Sequence, residues 1–212
     1  MLNHDEIFDI FNDQMERVGT AGRLEVHANG WWHQTFHCWI ISLRNDQPSL
    51  LLQLRHPDKD TFPNLLDISC AGHLMAGENV EDGVRELEEE LGLQVAFSSL
   101  IPCGIYAEED ALPEGRMDRE FCHVFLYRCD QHIFEYRIQQ DEVSGLYFVG
   151  LKDFESLIQG AAQTIPAVGA NLSVDGQLEE RLLYIASTDL VPHDVNYYKL
   201  LFNAINQIDP DK

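Results

Sequence analysis

Four glutamates fall within five positions, Glu86, Glu88, Glu89 and Glu90, directly after Arg85 in the segment GHLMAGENVEDGVRELEEELGL, Gly72 to Leu93. At about 100° per residue, Glu86, Glu89 and Glu90 stand at i, i+3 and i+4 on one side of a helix, with Val84, Leu87 and Leu91 on the other. Like charges at this spacing destabilise an isolated helix by a few tenths of a kcal/mol each, roughly, so either solvent tolerates them or a cation offsets the repulsion. Hard divalent cations such as Mg²⁺ take oxygen ligands, commonly a few carboxylates together with substrate phosphates. The alternative, on composition alone, is a solvated acidic face, which is what most charge runs are. Gly72 and Gly77 precede the helix, where a loop can bring its backbone close to a ligand.

The surrounding elements must position that helix. EIFDIF and RVGTAG flank the polar NDQME, so residues 6–22 are predicted to form a β-hairpin. Apolar runs at 36–43 and 49–54, joined by RNDQP, predict a second, more buried hairpin. Helical spacing runs from Val80 to Leu91, with Asn79 as N-cap, Asp82 three residues on and Gly92 as C-terminal stop. LQVAFSSLIPCGIYA, REFCHVFLYRC and EVSGLYFVGL predict three further strands, and KDFESLIQG a short helix. The small-residue stretch 161–176 reads as a loop, and QLEERLLYIAS and DVNYYKLLFNAINQI as helices. Residues 1–160 are therefore expected to form one domain. Residues 161–212, too few to close a core unaided, are expected to form a loop and helical extension covering a face of its sheet.

Composition narrows the partners. Fourteen lysines and arginines stand against 36 aspartates and glutamates, a net charge of −22. Long-range repulsion of this kind argues against nucleic acids and anionic membranes, and a polyanionic ligand would need metal ions to mediate its approach. Five scattered cysteines, Cys38, Cys70, Cys103, Cys122 and Cys129, contain no CxxC pair and argue against a disulfide framework or structural zinc. The N-terminus lacks the pattern of a signal peptide and no apolar run approaches the ~20 residues that span a bilayer, so a cytoplasmic protein is expected. Nothing in the sequence sets the oligomeric state, and a homodimer is compatible with it.

RELEEELGL, Arg85 to Leu93, matches residue for residue the second half of the Nudix box, R-E-U-x-E-E-x-G-U with U aliphatic, and on it the chain is identified as a member of that superfamily. The resemblance implies an α/β/α sandwich around a mixed β-sheet, here with a C-terminal helical extension. It implies Mg²⁺ or Mn²⁺ held by Glu86, Glu89, Glu90 and the backbone carbonyl at Gly72 or Ala71. Water would attack a diphosphate phosphorus in a small-molecule substrate. Glu86, Glu89, Arg85 and Glu120 are the candidate catalytic residues, with Arg85 orienting carboxylates, and His73 and Arg55 are the candidate substrate-binding residues. The full box is G-x5-E-x7-R-E, and Gly72 and Glu78 fit its start. Six residues, NVEDGV, rather than seven then separate Glu78 from Arg85. A helix starting late would absorb the missing residue, and Gly83 would make its first turn pliable.

A narrower likeness covers residues 5–155. EIFDIFNDQMERVGTAGR, EVHANGWWHQTFHCWII, PNLLDISCAGH and MDREFCHVF resemble segments of isopentenyl-diphosphate isomerase-like Nudix proteins. In the isomerase two N-terminal histidines, a histidine after the box glycine and two acidic residues bind a metal, and His27, His33, His73, Asp118 and Glu120 fall close to those positions. The isomerase's proton-carrying cysteine precedes the box glycine, where this chain has Ala71, with Cys70 one position earlier. The complete RELEEELG favours hydrolysis of a phosphoanhydride in a nucleoside diphosphate-X or isoprenyl diphosphate type substrate. Isopentenyl-diphosphate isomerisation is one alternative, and a binding module that does not cleave its diphosphate metabolite is another.

Overall fold

Burial alternates along residues 32–45. Phe36, Cys38 and Ile40 join one apolar cluster while Trp39 and Ile41 join another, the two-residue period of a strand covered on both faces. The computed structural model describes residues 6–45, 47–111 and 116–208. In chain order its first elements are β1 (Ile7–Phe11), β2 (Arg17–Gly22), α1 (Arg23–Asn29), β3 (Trp32–Asn45), β4 (Gln47–Arg55), β5 (Leu66–Asp67) and β6 (Cys70–His73). A 3-10 turn at Val80–Val84 then leads into α2 (Arg85–Leu91). After it come β7 (Ile101–Ala111), β8 (Met117–Arg128), β9 (Val143–Gly150), α3 (Leu151–Ile158), β10 (Ile165–Leu172), β11 (Leu178–Ile185) and α4 (Val195–Ile205).

The strands form one mixed sheet in the order β11-β10-β9-β4-β3-β1-β2, with β5 on β4, β6 and β8 on β3, and β7 on β8. The long β3–β8 pair is parallel, from Trp32↔Arg119 to Ile41↔Arg128, and its neighbours are antiparallel. Leu87 and Leu91 of α2 seal one face. Phe154 and Leu157 of α3, with Tyr197, Tyr198 and Leu201 of α4, seal the other, which completes an α/β/α sandwich. No described helix is long and apolar enough to cross a membrane.

Both predicted hairpins form, although the second is longer than the apolar runs that announced it. The C-terminal part differs from expectation. Residues 161–176 are not a loop, and 177–187 are not a helix: β10 and β11 form a hairpin that extends the sheet from β9. β10 alternates Ile165 and Ala167 inward with Pro166 and Val168 outward, a strand period that its small residues disguise. Gly169 lies where a Cβ would stand 2.0 Å from the Leu146 carbonyl oxygen, so a small residue marks close backbone approach rather than a loop. Leu178, Leu182 and Leu183 mimic helical spacing, but Leu182 is outward on an exposed edge, and Asp175-Gly176 makes the turn with Gly176 at φ 77°. Only α4 fulfils the helical expectation. α1, not foreseen, ends at Gly30 in the left-handed region and carries His27 inward.

The short box is accommodated at the start of its helix. The Asn79 amide donates to Asp82 Oδ2 at 2.8 Å and the Asp82 amide to the Asn79 carbonyl at 2.9 Å, which opens the 3-10 turn. α2 proper begins at Arg85 and stops at Gly92, φ 70°. Gly83 supplies space rather than pliability, because a Cβ there would stand 2.6 Å from Phe36 Cβ in the core. Gly83→Ala should therefore cost about 1–3 kcal/mol through overpacking, read as a lower midpoint in urea denaturation.

Candidate active site

Leu87 and Leu91 turn the carboxylates of α2 toward the sheet edge at β6. Glu86 packs directly over Gly72, where a Cβ would lie 2.1 Å from its Cδ, so only glycine leaves room for that carboxyl. Glu90 is buried, accepting from Gln53 Nε2 at 3.3 Å and the Ala71 amide at 3.4 Å, while Glu89 is half exposed. Burial, then the neighbouring Glu90, pushes Glu86 up to about 8, and burial pushes Glu90 up to about 7. Arg85 gathers the group. Its Nη1 reaches Glu86 at 2.5 Å and Glu89 at 3.2 Å, its Nη2 the His73 carbonyl at 3.0 Å, and its Nε Glu78 at 2.9 Å. Glu78 also accepts from the Met75 amide at 2.8 Å, so it braces Arg85 and the loop rather than joining the carboxylates over Gly72.

A second cluster sits on the other side of Gly72. His27 from α1, His33 from β3 and His73 from β6 converge with Asp118 and Glu120 of β8. His27 Nε2 and His33 Nε2 each lie 3.7 Å from Asp118 Oδ1, and Glu120 Oε1 lies 3.7 Å from His33 Nε2 and 3.6 Å from His73 Nε2. The three Nε2 atoms and Asp118 Oδ1 are buried without a hydrogen-bond partner. Orphaned donors at these separations suit a cation at their centre. Burial, then His33, holds His27 down at about 4, and burial, then Arg23, holds His73 well below the usual histidine range, so both imidazoles are neutral. Burial works against ionised Glu120, yet His33 and His37, each with Nε2 3.7 Å from one of its oxygens, outweigh it and hold the carboxyl low. Burial, then Glu120, pushes Asp118 up to about 7.

The tautomers differ. His33 Nδ1 lies 3.2 Å from the Trp31 carbonyl and so carries a proton there; burial opposes a second proton but Glu120 and Asp118 outweigh it and raise the His33 pKa, so Nε2 becomes a ligand when that proton leaves. His73 Nδ1 lies 3.2 Å from Arg23 Nη1, which can only donate, so the neutral His73 proton is on Nε2. A cation at this centre requires that proton to move to Nδ1 and Arg23 to turn toward Glu6 and Asp60, its partners at 2.9 and 3.6 Å.

Both clusters open into one cavity of about 710 Å³. Arg23, Arg55, Lys59 and Arg85 face it against thirteen aspartates and glutamates. Arg55 donates to Asp67 Oδ2 at 2.8 Å and to the Thr61 carbonyl, and Lys59 pairs with Glu142. From the C-terminal segment His193 enters the same cavity, with Nδ1 2.9 Å from Glu108 Oε1 and Nε2 3.6 Å from Asp67 Oδ1.

The profile of the NUDIX domain matches residues 33–168. The chain belongs to the Nudix family. It is 38% identical over 201 residues to a Nudix hydrolase of Clostridium acetobutylicum, covering 95% of this chain and 97% of that one. It is 31% identical over 158 residues to isopentenyl-diphosphate Delta-isomerase 2 of Photorhabdus laumondii, covering 74% and 84%. A solved protein of Deinococcus radiodurans superposes with a TM-score of 0.56 at 23% identity, over 73% of this chain and 90% of that one. A MutT/nudix family protein of Enterococcus faecalis gives 0.54 at 17%, over 82% and 61%. These two likenesses establish the Nudix fold, and family membership makes the chain an enzyme of pyrophosphohydrolase type.

Within this Nudix fold the structure gathers Gly72, Arg85, Glu86, Glu89 and Glu90 in one cluster and His73 and Glu120 in the other, with Arg55 on the shared wall. Cys70 is separate: it is buried among Leu74, Leu87 and Leu91, and Ala71 faces the cavity. The sequence reading missed Glu108 and Asp110, which pair in register with Glu120 and Asp118. Their i, i+2 spacing repeats that of Asp118 and Glu120 and could have revealed them. Nothing in the Nudix box points to His193, which lies beyond residue 168.

Two expectations follow from this geometry. Arg23→Met should tighten Co²⁺ binding by about tenfold, near 1.4 kcal/mol, because His73 can then protonate at Nδ1; competition with a chromogenic chelator reads this. Burial opposes the His193 cation, but Asp67 and Glu108 outweigh it and push its pKa up to about 10. The other groups facing it are His37, Tyr197 and Tyr198. A raised histidine stabilises fully below its unfolded value near 6.5, and the effect fades as pH rises through 10. The stability deficit of His193→Gln, about 3 kcal/mol at pH 6, should therefore shrink steadily toward pH 10 in urea titrations.

Proposed function

We propose that the protein is a divalent-metal-dependent hydrolase, using Mg²⁺ or Mn²⁺, that cleaves a phosphoanhydride in a nucleoside diphosphate-X or isoprenyl diphosphate type small molecule in the cytoplasm. The observation that carries this reading is the complete carboxylate set of Glu86, Glu89 and Glu90 held by Arg85 over Gly72. Metal ions bound there supply charge neutralisation for the diphosphate and activation of the attacking water. Glu86, Glu89 and Glu90 act as the ligands with the Gly72 carbonyl. Arg85 fixes Glu86 and Glu89 by its planar fork and ties them to β6 through the His73 carbonyl. Arg55 and Lys59 meet phosphate oxygens at the cavity wall. Glu120, whose carboxyl is held low by the neighbouring His33 and His37, serves in this reading as the base for the nucleophile's proton. His27, His33, His73, Asp118 and Glu120 hold a further cation, so His73 serves that centre in addition to bordering the substrate.

That histidine centre also favours a second reading, isomerisation of isopentenyl diphosphate. Against it stands Cys70, whose thiol is pushed well up by burial and then by Glu90 and which packs in the α2-side core rather than in the cavity lining. Incubation with isopentenyl diphosphate in deuterated water separates the two, since isomerisation labels the carbon skeleton and releases no phosphate. For the hydrolase reading, Glu90→Gln is expected to lower Mg²⁺-dependent phosphate release by about 100-fold or more, equivalent to roughly 2.7 kcal/mol, with the circular dichroism spectrum unchanged. Undiminished turnover in that variant would remove Glu90 from the metal site.

A further inference from the structure

One end of the cavity is built from groups that neither metal cluster uses. Asp67 on β5, Glu108 and Asp110 on β7 and His193 ahead of α4 line it. The apolar lining of the whole cavity comes from Phe62, Ile68, Ala71, Met75 and Val191, and none of the three tryptophans contributes. An alkyl chain is stabilised by each methylene that leaves water for apolar surroundings, whereas carboxylates desolvated by it without partners are strongly destabilised. This end is therefore hostile to a prenyl chain.

His193 sharpens the requirement. It is 7% exposed at its side chain, its Nδ1 donates to both oxygens of Glu108 at 2.9 and 3.0 Å, and its Nε2 is buried 3.6 Å from Asp67 Oδ1, beyond hydrogen-bond distance, with no hydrogen-bond partner. A buried N–H facing a cavity needs an acceptor, and the carboxylates around it need donors. A hydroxyl is both at once. An ammonium would satisfy the carboxylates but would be repelled by the His193 cation.

We propose that this end of the cavity binds the group esterified to the diphosphate, that this group is polyhydroxylated and sugar-like, and that His193 Nε2 donates to one of its hydroxyl oxygens while Glu108 and Asp110 accept from its hydroxyl hydrogens. The C-terminal segment thereby becomes a specificity determinant of the Nudix site. The inference rests on the hydrolase reading and narrows its substrate class.

Adenosine diphosphate glucose, the n-hexyl ester of adenosine diphosphate and its 6-aminohexyl ester share one diphosphate and differ only in the esterified group. Wild-type protein with Mg²⁺ should favour the glucose compound over both esters by about 100-fold in kcat/KM, as sites built to bind a hydroxyl do. His193→Leu should erase at least tenfold of that preference, mainly through KM for the glucose compound, and His193→Gln, which keeps a donor, should restore part of it. Thermal melts of both variants check that they fold. Calorimetric binding of the three compounds with Ca²⁺ is measured in parallel. Glucose-selective binding that depends on His193 without any turnover sinks the hydrolase reading and leaves this inference standing. Equal handling of the three compounds, preference for either ester, or a loss in both variants that is uniform across the compounds would overturn it.

Discussion

Carboxylates crowded into a partly dehydrated cavity repel one another, and every other feature of this site answers that constraint. Thirteen aspartates and glutamates share a cavity with four lysines and arginines. The fold manages the excess in three ways. Arg85 draws Glu78, Glu86 and Glu89 onto one guanidinium, whose planar fork can serve several acceptors without losing its charge. His193 neutralises Glu108 and Asp67 from a segment far along the chain. At Glu90 and Asp118 burial outweighs the pull of Lys59 on the first and of His33 and Arg23 on the second, and pushes the carboxyl pKa upward toward neutrality. The third solution is the one that a divalent ion would replace, since metal binding and proton release are coupled.

Gly72 and His73 explain why two clusters share one cavity. Gly72 has no side chain, so the Glu86 carboxyl rests against the backbone of β6 on one side. The next residue, His73, carries its ring into the histidine cluster, while its carbonyl accepts from Arg85. Successive residues of a strand point to opposite sides, and here that alternation places one residue's backbone in one cluster and the next residue's side chain in the other. A single-residue slip of β6 would dismantle both, and its register with β3, Thr35↔His73 through Cys38↔Cys70, is anchored by Cys70 in the α2 core.

The carboxylate helix was legible from sequence because its chemistry and its fold use the same period. Glu86, Glu89 and Glu90 gather for the same reason that Leu87 and Leu91 are buried. The sandwich was legible as well, through β3, β8 and β9, whose apolar runs are rich in β-branched or aromatic residues, and through the leucine run of β4. The C-terminal hairpin was not, because in β10 Gly169 and Ala170 reflect closeness to Tyr147 and the α2-side core, information that exists only once β9 is in place. β11 lies on an exposed edge, so tertiary contacts rather than its leucine spacing decide its conformation. The same logic hid His193: a lone histidine in a loop acquires meaning only from Asp67 and Glu108, more than 80 residues away.

The C-terminal hairpin and α4 are therefore more than a cover for the sheet. β10 and β11 extend the sheet beyond β9, and the turn after β11 is pinned where the Val191 amide donates to the Leu66 carbonyl at 2.8 Å, beside Asp67. That bond fixes the path of residues 190–194, and Tyr197, stacked on His193 at 4.5 Å, fixes the ring. The Tyr197 hydroxyl accepts from Trp39 Nε1 at 3.1 Å and lies 3.0 Å from His37 Nδ1, which holds the far nitrogen of that ring toward Glu120. One tyrosine on α4 thus orients both the imidazole that braces Glu120 and the imidazole that binds Glu108. Since β7 and β8 place Glu108 opposite Glu120, a displacement of α4 would alter both carboxylates together. The helix that seals the apolar face is in this way also the element that sets the geometry of the polar one.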